Sequence, residues 1–382
     1  MKTFKFGQLL EKEDICDREG EIKALRNICK TGGRAVVYGS RRFGKTSLVK
    51  NVVIPDFLKS QKKPLAVYVD LFQLDSMHDA STRLQVAIEH ALSERAKVKT
   101  FLNDIRNYIK GFRIEISADP LSGAPKVGLS GGAGARDEKT LQELFNTLKA
   151  ISADYKTLLV LDEFQDIAGV TGLEASFRSE IQSLSDTPVI ALGSKKHLLH
   201  DIFHNESRPF YGFGVDVEIR KIDRKHWLPY MKERFAGSRL TLDKEGVDTI
   251  CEHMRDVPNS IQELCQWISL NDEKRRLEPS IIMKHIADLL ENKSSRYFEK
   301  AASFTAKERA VLTATARMEP VSSIASTGFI QQTGISATAV RAAVHRFADQ
   351  GVLDHSEEGY VITDPLFRLF LKRQFIHDDV MR

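Results

Sequence analysis

The sequence predicts an α/β domain built on a parallel sheet, followed by an all-helical segment and then a small module of three helices and two strands. Three observations predict it. Over the first 225 residues, short apolar, β-branched runs alternate with helical periodicity, the pattern of a parallel sheet covered on both faces. From Trp227 to about Glu291 the pattern is helical throughout, with Pro258 and Pro279 near helix starts. Beyond Thr305 come three helical stretches and two short β-type runs, the order of a winged helix.

The first element is a helix within residues 1–33, where Glu21, Ile22, Leu25 and Ile28 give amphipathic spacing and Gly32-Gly33 stop it. Strands are expected at 34–38, 65–69, 158–161, 189–192 and 215–219, with helices at 81–97, 139–152 and 177–184 between them. Residues 112–129 break the rhythm: they alternate, turn on Pro and Gly, and alternate again. A β-hairpin inserted at about 111–136 is therefore expected, with the Gly-rich stretch 131–135 as a mobile connector. The polar run 292–303 reads as a linker. Helices at 306–317, 322–332 and 337–350, then strands at 351–355 and 359–363, complete the chain. The expected domains are an α/β core over 1–225, a helical segment over 226–291 and a winged helix over 304–375.

Composition excludes several classes. The 382 residues are 42% hydrophobic and 28% charged, the balance of a globular protein. Lys and Arg (56) exceed Asp and Glu (52) by four, too little to argue for nucleic-acid binding from bulk charge. The four cysteines, Cys16, Cys29, Cys251 and Cys265, show no metal or disulfide spacing, which fits a reducing, cytoplasmic setting. No leader-like apolar run opens the chain and no stretch is long and apolar enough for a membrane span, so no membrane association is expected.

Gly39-Ser40-Arg41-Arg42-Phe43-Gly44-Lys45-Thr46 matches G-x-x-x-x-G-K-[ST] in full. A chance match in a chain of this length has a probability of roughly 1%, and this one sits between an apolar strand and a helix that includes Ser47, the context the motif requires. Backbone N–H groups there cradle phosphate at a helix N-terminus. Lys45 would neutralise the β- and γ-phosphates and Thr46 would supply a hydroxyl to Mg²⁺. The second half is Leu158-Leu159-Val160-Leu161-Asp162-Glu163, a buried strand ending in two acids. Acids at the carboxyl end of a parallel strand line the ligand crevice. Asp162 would hold Mg²⁺ and Glu163 would polarise the attacking water; the plain alternative is two solvated acids beginning the next helix. After the 189–192 strand, expected beside the 158–161 strand, Ser194 either senses the γ-phosphate and orders the water or caps the following helix. Arg178, Arg208 and Arg42 are candidates for a rate-enhancing arginine finger, each with an ordinary surface ion pair as its alternative.

With these motifs in place, the chain resembles the archaeal-type ATPases of the STAND branch of the AAA+ P-loop NTPase superfamily, over nearly its whole length. Phe4-Lys5-Phe6-Gly7 and Arg18-Glu19-Gly20-Glu21-Ile22 are similar to the family's approach to adenine, and residues 39–48 to its Walker A loop. Asp162-Glu163-Phe164-Gln165 resembles its Walker B acids, and Arg208-Pro209-Phe210-Tyr211-Gly212 the segment before its helical lid. Val257-Pro258-Asn259-Ser260-Ile261-Gln262 stands where the family has a lid motif. The resemblance implies a P-loop sheet with an inserted hairpin, a helical lid and a winged helix. It also implies an ATP/ADP site that includes Arg18 and Pro258, Mg²⁺, slow ATP hydrolysis, and motion driven by nucleotide.

Partners are less legible. His197, His200 and His204 share one helix face, which reads as a polar stripe rather than a metal site. In the winged helix, Val340, Val344 and Phe347 form the inner stripe of the third helix, leaving Thr338, Arg341 and His345 outward with Arg346 at the edge. Residues 300–382 carry ten Lys or Arg against nine Asp or Glu, and the wing tip holds Glu357-Glu358, which repels phosphate. A nucleotide-driven switch acting on a protein partner or on itself is therefore the first expectation. A DNA-binding ATPase related to origin-recognition and helicase-loader proteins is the alternative, and a scaffold with purely structural nucleotide the third.

Overall fold

The computed structural model describes residues 2–96, 113–118, 125–130, 137–273, 275–356 and 358–376. Two compact units make up the chain. One is Arg18–Gly39 with Lys45–Ile219; the other is Met1–Asp17 with Ser40–Gly44 and Arg220–Arg382.

The first unit is the α/β layer. Helix α1 (Glu19–Thr31) leads into β1 (Arg34–Tyr38), and α2 (Lys45–Leu48) runs through a π-turn into α3 (Ile54–Ser60). Then come β2 (Pro64–Asp70), α4 (Met77–Ala96), the hairpin β3 (Arg113–Ala118) and β4 (Pro125–Ser130), and α5 (Asp137–Ser152). Strand β5 (Lys156–Asp162), α6 (Leu173–Gln182), β6 (Val189–Gly193), α7 (Lys196–His204) and β7 (Val215–Glu218) complete it. The other five strands form one parallel sheet in the order β2-β5-β6-β1-β7. All seven residues of β5 but the first are buried, which is why that strand reads as a continuous apolar run and not an alternating one. The expected strand beside β5 is β6, which pairs with both β5 and β1.

The inserted hairpin is antiparallel, as its alternation predicts. It is fastened to α4 by three side chains four residues apart: Gln85 donates to Leu129 O, Glu89 accepts from Leu129 N and Ser93 accepts from Val127 N, at 2.8–2.9 Å. The expected connector 131–135 lies outside the described residues.

In the second unit, α8 (Arg224–Phe235), α9 (Lys244–His253), α10 (Pro258–Asn271) and α11 (Pro279–Asn292) form the helical segment, with Pro258 and Pro279 at the first helical turn as expected. The polar run 292–303 is not a linker. It is a helix, α12 (Ser294–Ala302), whose inner face buries Tyr297 and Ala301 four residues apart. The polar composition belongs to its outer face, and the two inward positions are too few to dominate a sequence average. Tyr297 packs on Phe367 and Phe370, with ring centroids 5.4 and 5.6 Å away.

The winged helix follows with α13 (Ala306–Met318), α14 (Thr327–Thr333), α15 (Ala337–Asp349), β8 (Leu353–Ser356), β9 (Gly359–Ile362) and α16 (Pro365–Leu371). Thr305 and Glu308 form a reciprocal capping box on α13. Helix α14 is shorter than the 322–332 expected, because Ser326 caps it by accepting from Phe329 N. On α15, Val340, Val344 and Phe347 are buried, and Thr338, Arg341, His345 and Arg346 are exposed. One apolar core runs from Trp227 on α8 through Tyr297 to Phe370 on α16.

The four cysteines are buried free thiols. Among the described residues, no helix is long and apolar enough to cross a membrane.

Candidate active site

After β1 the chain turns through Gly39–Gly44 and enters α2. Gly44 lies at φ +86°, a region that L side chains avoid, so the second motif glycine answers a backbone demand. Arg42 also has a positive φ, 69°, without being glycine. Lys45 is buried, and its Nζ donates to Gly39 O at 2.6 Å, which folds the side chain back over the loop.

The β2–β5 register sets Asp70 opposite Asp162 at the carboxyl ends of neighbouring strands. Asp162 is 5% exposed and is surrounded by donors. Thr46 Oγ1 donates to its Oδ2 at 3.0 Å, the Tyr68 hydroxyl donates to the same oxygen, and Glu163 N donates to Oδ1 at 2.9 Å. Burial pushes the Asp162 carboxyl above its ordinary value, with a contribution from neighbouring Glu163, against the pull of those donors. The Thr46 hydroxyl and the Asp162 carboxylate are hard oxygen donors brought side by side, a pair suited to Mg²⁺.

Glu163 follows at φ +50°, a left-handed conformation. Its Oε2 accepts from Gln165 Nε2 at 2.6 Å and from Ser194 Oγ at 3.0 Å. Ser194 therefore faces Glu163; the helix cap position belongs to Lys195 and carries no side-chain cap. Lys45, Thr46, Asp162, Glu163 and Ser194 thus fall within one unit, at the carboxyl ends of β1, β5 and β6.

The remaining expected residues are placed as follows. Ser47 and Phe43 are buried in and after the loop. Arg18 is buried ahead of α1, with Nη1 3.0 Å from Glu21 Oε1. Pro258 opens α10, where Asn259 Oδ1 accepts from Gly7 N at 3.0 Å and Gln266 donates to Phe4 O at 2.9 Å, so the N-terminal segment is stitched to that helix. Arg178 is engaged elsewhere, with Nε donating to Pro209 O at 2.9 Å and the guanidinium over Phe210. Arg208 pairs with Glu174 and Asp201. Arg41 and Arg42 point to the C-terminal part of their own unit: Arg41 Nη1 donates to Gln350 O at 3.4 Å, and Arg42 Nη1 lies 3.3 Å from Asp364 Oδ2. Of the three histidines on α7, His204 pairs with Asp216 at 3.1 Å, and no metal-ligating His/Cys/Asp/Glu group occurs among the described residues.

Two contributors escape the sequence reading. Tyr68 shares strand parity with Asp70, and that parity is the available signal: a phenol aimed at the acid face from within an apolar run. Gln165 stands in the acid motif, but its contact with Glu163 depends on the left-handed turn between them, which nothing local announces.

Two family models match the sequence. Residues 15–266 match the family described as "ATPase domain predominantly from Archaea", and residues 295–373 match "Probable winged helix domain". Among solved structures, the chain is similar to the Walker-type ATPase PABY2304 of Pyrococcus abyssi, at 18% identity and TM-score 0.62, over 97% of this chain and 99% of that one. It is similar to the Orc2 protein of Aeropyrum pernix in ADPNP–ADP complexes, at 14% identity and TM-score 0.52, over 94% of each chain. It is also similar to the Orc1 protein of Aeropyrum pernix in complex with DNA, at 13% identity and TM-score 0.50, over 94% of this chain and 93% of that one. At such identities the likeness concerns the fold. No curated protein matches the sequence.

Proposed function

The chain belongs to the family of ATPase domains found predominantly in Archaea, and from that premise we propose that it is a nucleotide-driven regulatory switch that hydrolyses ATP slowly and reports its nucleotide state through the C-terminal winged helix. In this reading residues 39–47 hold the phosphates, with Lys45 moving from the Gly39 carbonyl to the β- and γ-oxygens. Thr46 and Asp162 would hold Mg²⁺, which supplies charge neutralisation at the phosphates. Glu163, with Oε2 held by Gln165 and Ser194 and with Ser194 Oγ also 3.4 Å from Oε1, polarises the attacking water through Oε1. Arg18 and Pro258 are assigned to the nucleotide base side, and Arg178 to a finger role toward a neighbouring copy.

Support for a dedicated base position comes from Gly193. A Cβ there would fall 2.1 Å from Gln165 Oε1 and 2.6 Å from Leu199 Cδ1. Gly193→Ala should push the Gln165 amide off Glu163 and lower turnover by about 10- to 100-fold, with ADP affinity retained. Phosphate release and calorimetric ADP titration check this pair of outcomes.

The switch reading is carried by the Arg42–Asp364 pair, which joins a phosphate-loop arginine to the residue that starts α16. Asp364 accepts from Leu366 N and Phe367 N at 3.1 and 3.2 Å. Burial works to raise its carboxyl, but Arg42, the Phe367 N–H, Lys300 and Lys293 outweigh it and hold it below its ordinary value. Phosphate oxygens compete with Asp364 for the same guanidinium, so nucleotide binding and the α16 contact oppose one another.

Asp364→Asn keeps the helix cap, since Asn caps as well as Asp, and removes the competing charge. ADP affinity should rise about threefold to fivefold, the worth of a partly exposed pair. An unchanged affinity would detach the winged helix from the nucleotide and sink the switch. Turnover should not respond to duplex DNA, because Arg346 on α15 is already neutralised by Glu308 at 2.6 Å. DNA stimulation would favour the origin-recognition reading instead.

A further inference from the structure

Tyr68 lies on β2, an edge strand of the sheet. Its register partner on β5 is Val160, and the next residue of the same parity on β5 is Asp162. The phenol reaches diagonally across that strand pair and donates to Asp162 Oδ2. Lys50, one turn beyond the phosphate loop, sets its ammonium 4.6 Å from the ring centroid.

Two side chains donate to that one carboxylate oxygen, Thr46 and Tyr68. They are not equivalent. The Thr46 oxygen is itself a candidate metal ligand and would have to serve the ion as well as Asp162, whereas Tyr68 has no such second duty. Glu163 N holds only the other oxygen, Oδ1, and a carboxylate held from one side alone rotates about its Cβ–Cγ bond.

We propose that Tyr68 is a positioning residue for the divalent cation, fixing the Asp162 carboxylate in its metal-facing orientation from the neighbouring strand. The proposal rests on the ATPase reading above, and its readout is cation affinity rather than turnover.

The test is Mn²⁺ titration of the full chain saturated with ADP, followed by electron paramagnetic resonance, together with ADP titration in EDTA. Tyr68→Phe should weaken Mn²⁺ binding about tenfold, as loss of a hydrogen bond to a metal ligand does, while metal-free ADP affinity stays within about twofold of wild type. Lys50→Met removes the cation over the ring but leaves the hydroxyl, and should leave Mn²⁺ affinity within about twofold. Mn²⁺ affinity unchanged in Tyr68→Phe would overturn the proposal, as would an equal loss in Lys50→Met, which would trace the effect to wall packing. Failure of the wild-type chain to bind ADP at all would instead overturn the nucleotide reading on which both variants depend.

Discussion

Glu163→Gln should bind ATP as the wild type does and turn it over about 10²- to 10⁴-fold more slowly, the contribution of a positioned general base. The substitution is nearly isosteric, and the geometry says which half of the group matters. Gln165 and Ser194 both donate to Oε2, and an amide oxygen placed there accepts both bonds. The amide nitrogen then takes the place of Oε1, where it has no lone pair to accept a proton from water. Binding is preserved because Lys45 and Thr46 are untouched. Single-turnover phosphate release, alongside a filter-binding measurement of retained ATP, separates the two effects. Turnover at the wild-type rate would show that the water is activated elsewhere and that Glu163 is only an acid beginning a helix.

Lys45→Ala is expected to weaken nucleotide binding. A charge-assisted hydrogen bond to phosphate is worth about 1.5–3 kcal/mol, so ADP affinity should fall by about 10- to 100-fold. Lys45 is 7% exposed and its ammonium is satisfied by the Gly39 carbonyl. Binding therefore exchanges one acceptor for better ones without first dehydrating a free cation. The same contact predicts a small stability change in the variant, because Gly39 O loses its donor. Calorimetric ADP titration decides the matter. Affinity within about twofold of wild type would mean that the loop N–H groups and Arg42 carry the phosphates unaided.

Much of this was legible in the sequence, for reasons that differ by element. Strand β5 announces itself because both its faces are covered, which demands a continuous apolar run, and its terminal acids follow from where a parallel strand must end. The turn Gly39–Gly44 is legible because its backbone geometry restricts residue type at Gly44. Helix α12 was not legible: two inward residues, Tyr297 and Ala301, among Ser, Arg, Glu and Lys do not outweigh a polar average. Contacts made across the fold were hidden for another reason. Tyr68 and Asp162 meet only because β2 lies beside β5, and Arg42 and Asp364 only because α16 packs within the unit that holds the loop. Local pattern specifies what each segment becomes, not which segment it is laid against.

Helix α12 carries a consequence for how this half of the molecule comes apart. Tyr297 packs on the rings of Phe367 and Phe370, and the apolar core is continuous from Trp227 to Phe370. The helical segment α8–α11 and the winged helix share that core, so they are expected to melt together as one cooperative unit. A chain cut after Glu291 would leave the helical segment with a raw apolar face, and a chain begun at Phe304 would strip Phe367 and Phe370 of Tyr297. Helix α12, and not a stretch of solvated chain, joins the helical segment to the winged helix, so displacement of one is expected to carry the other with it.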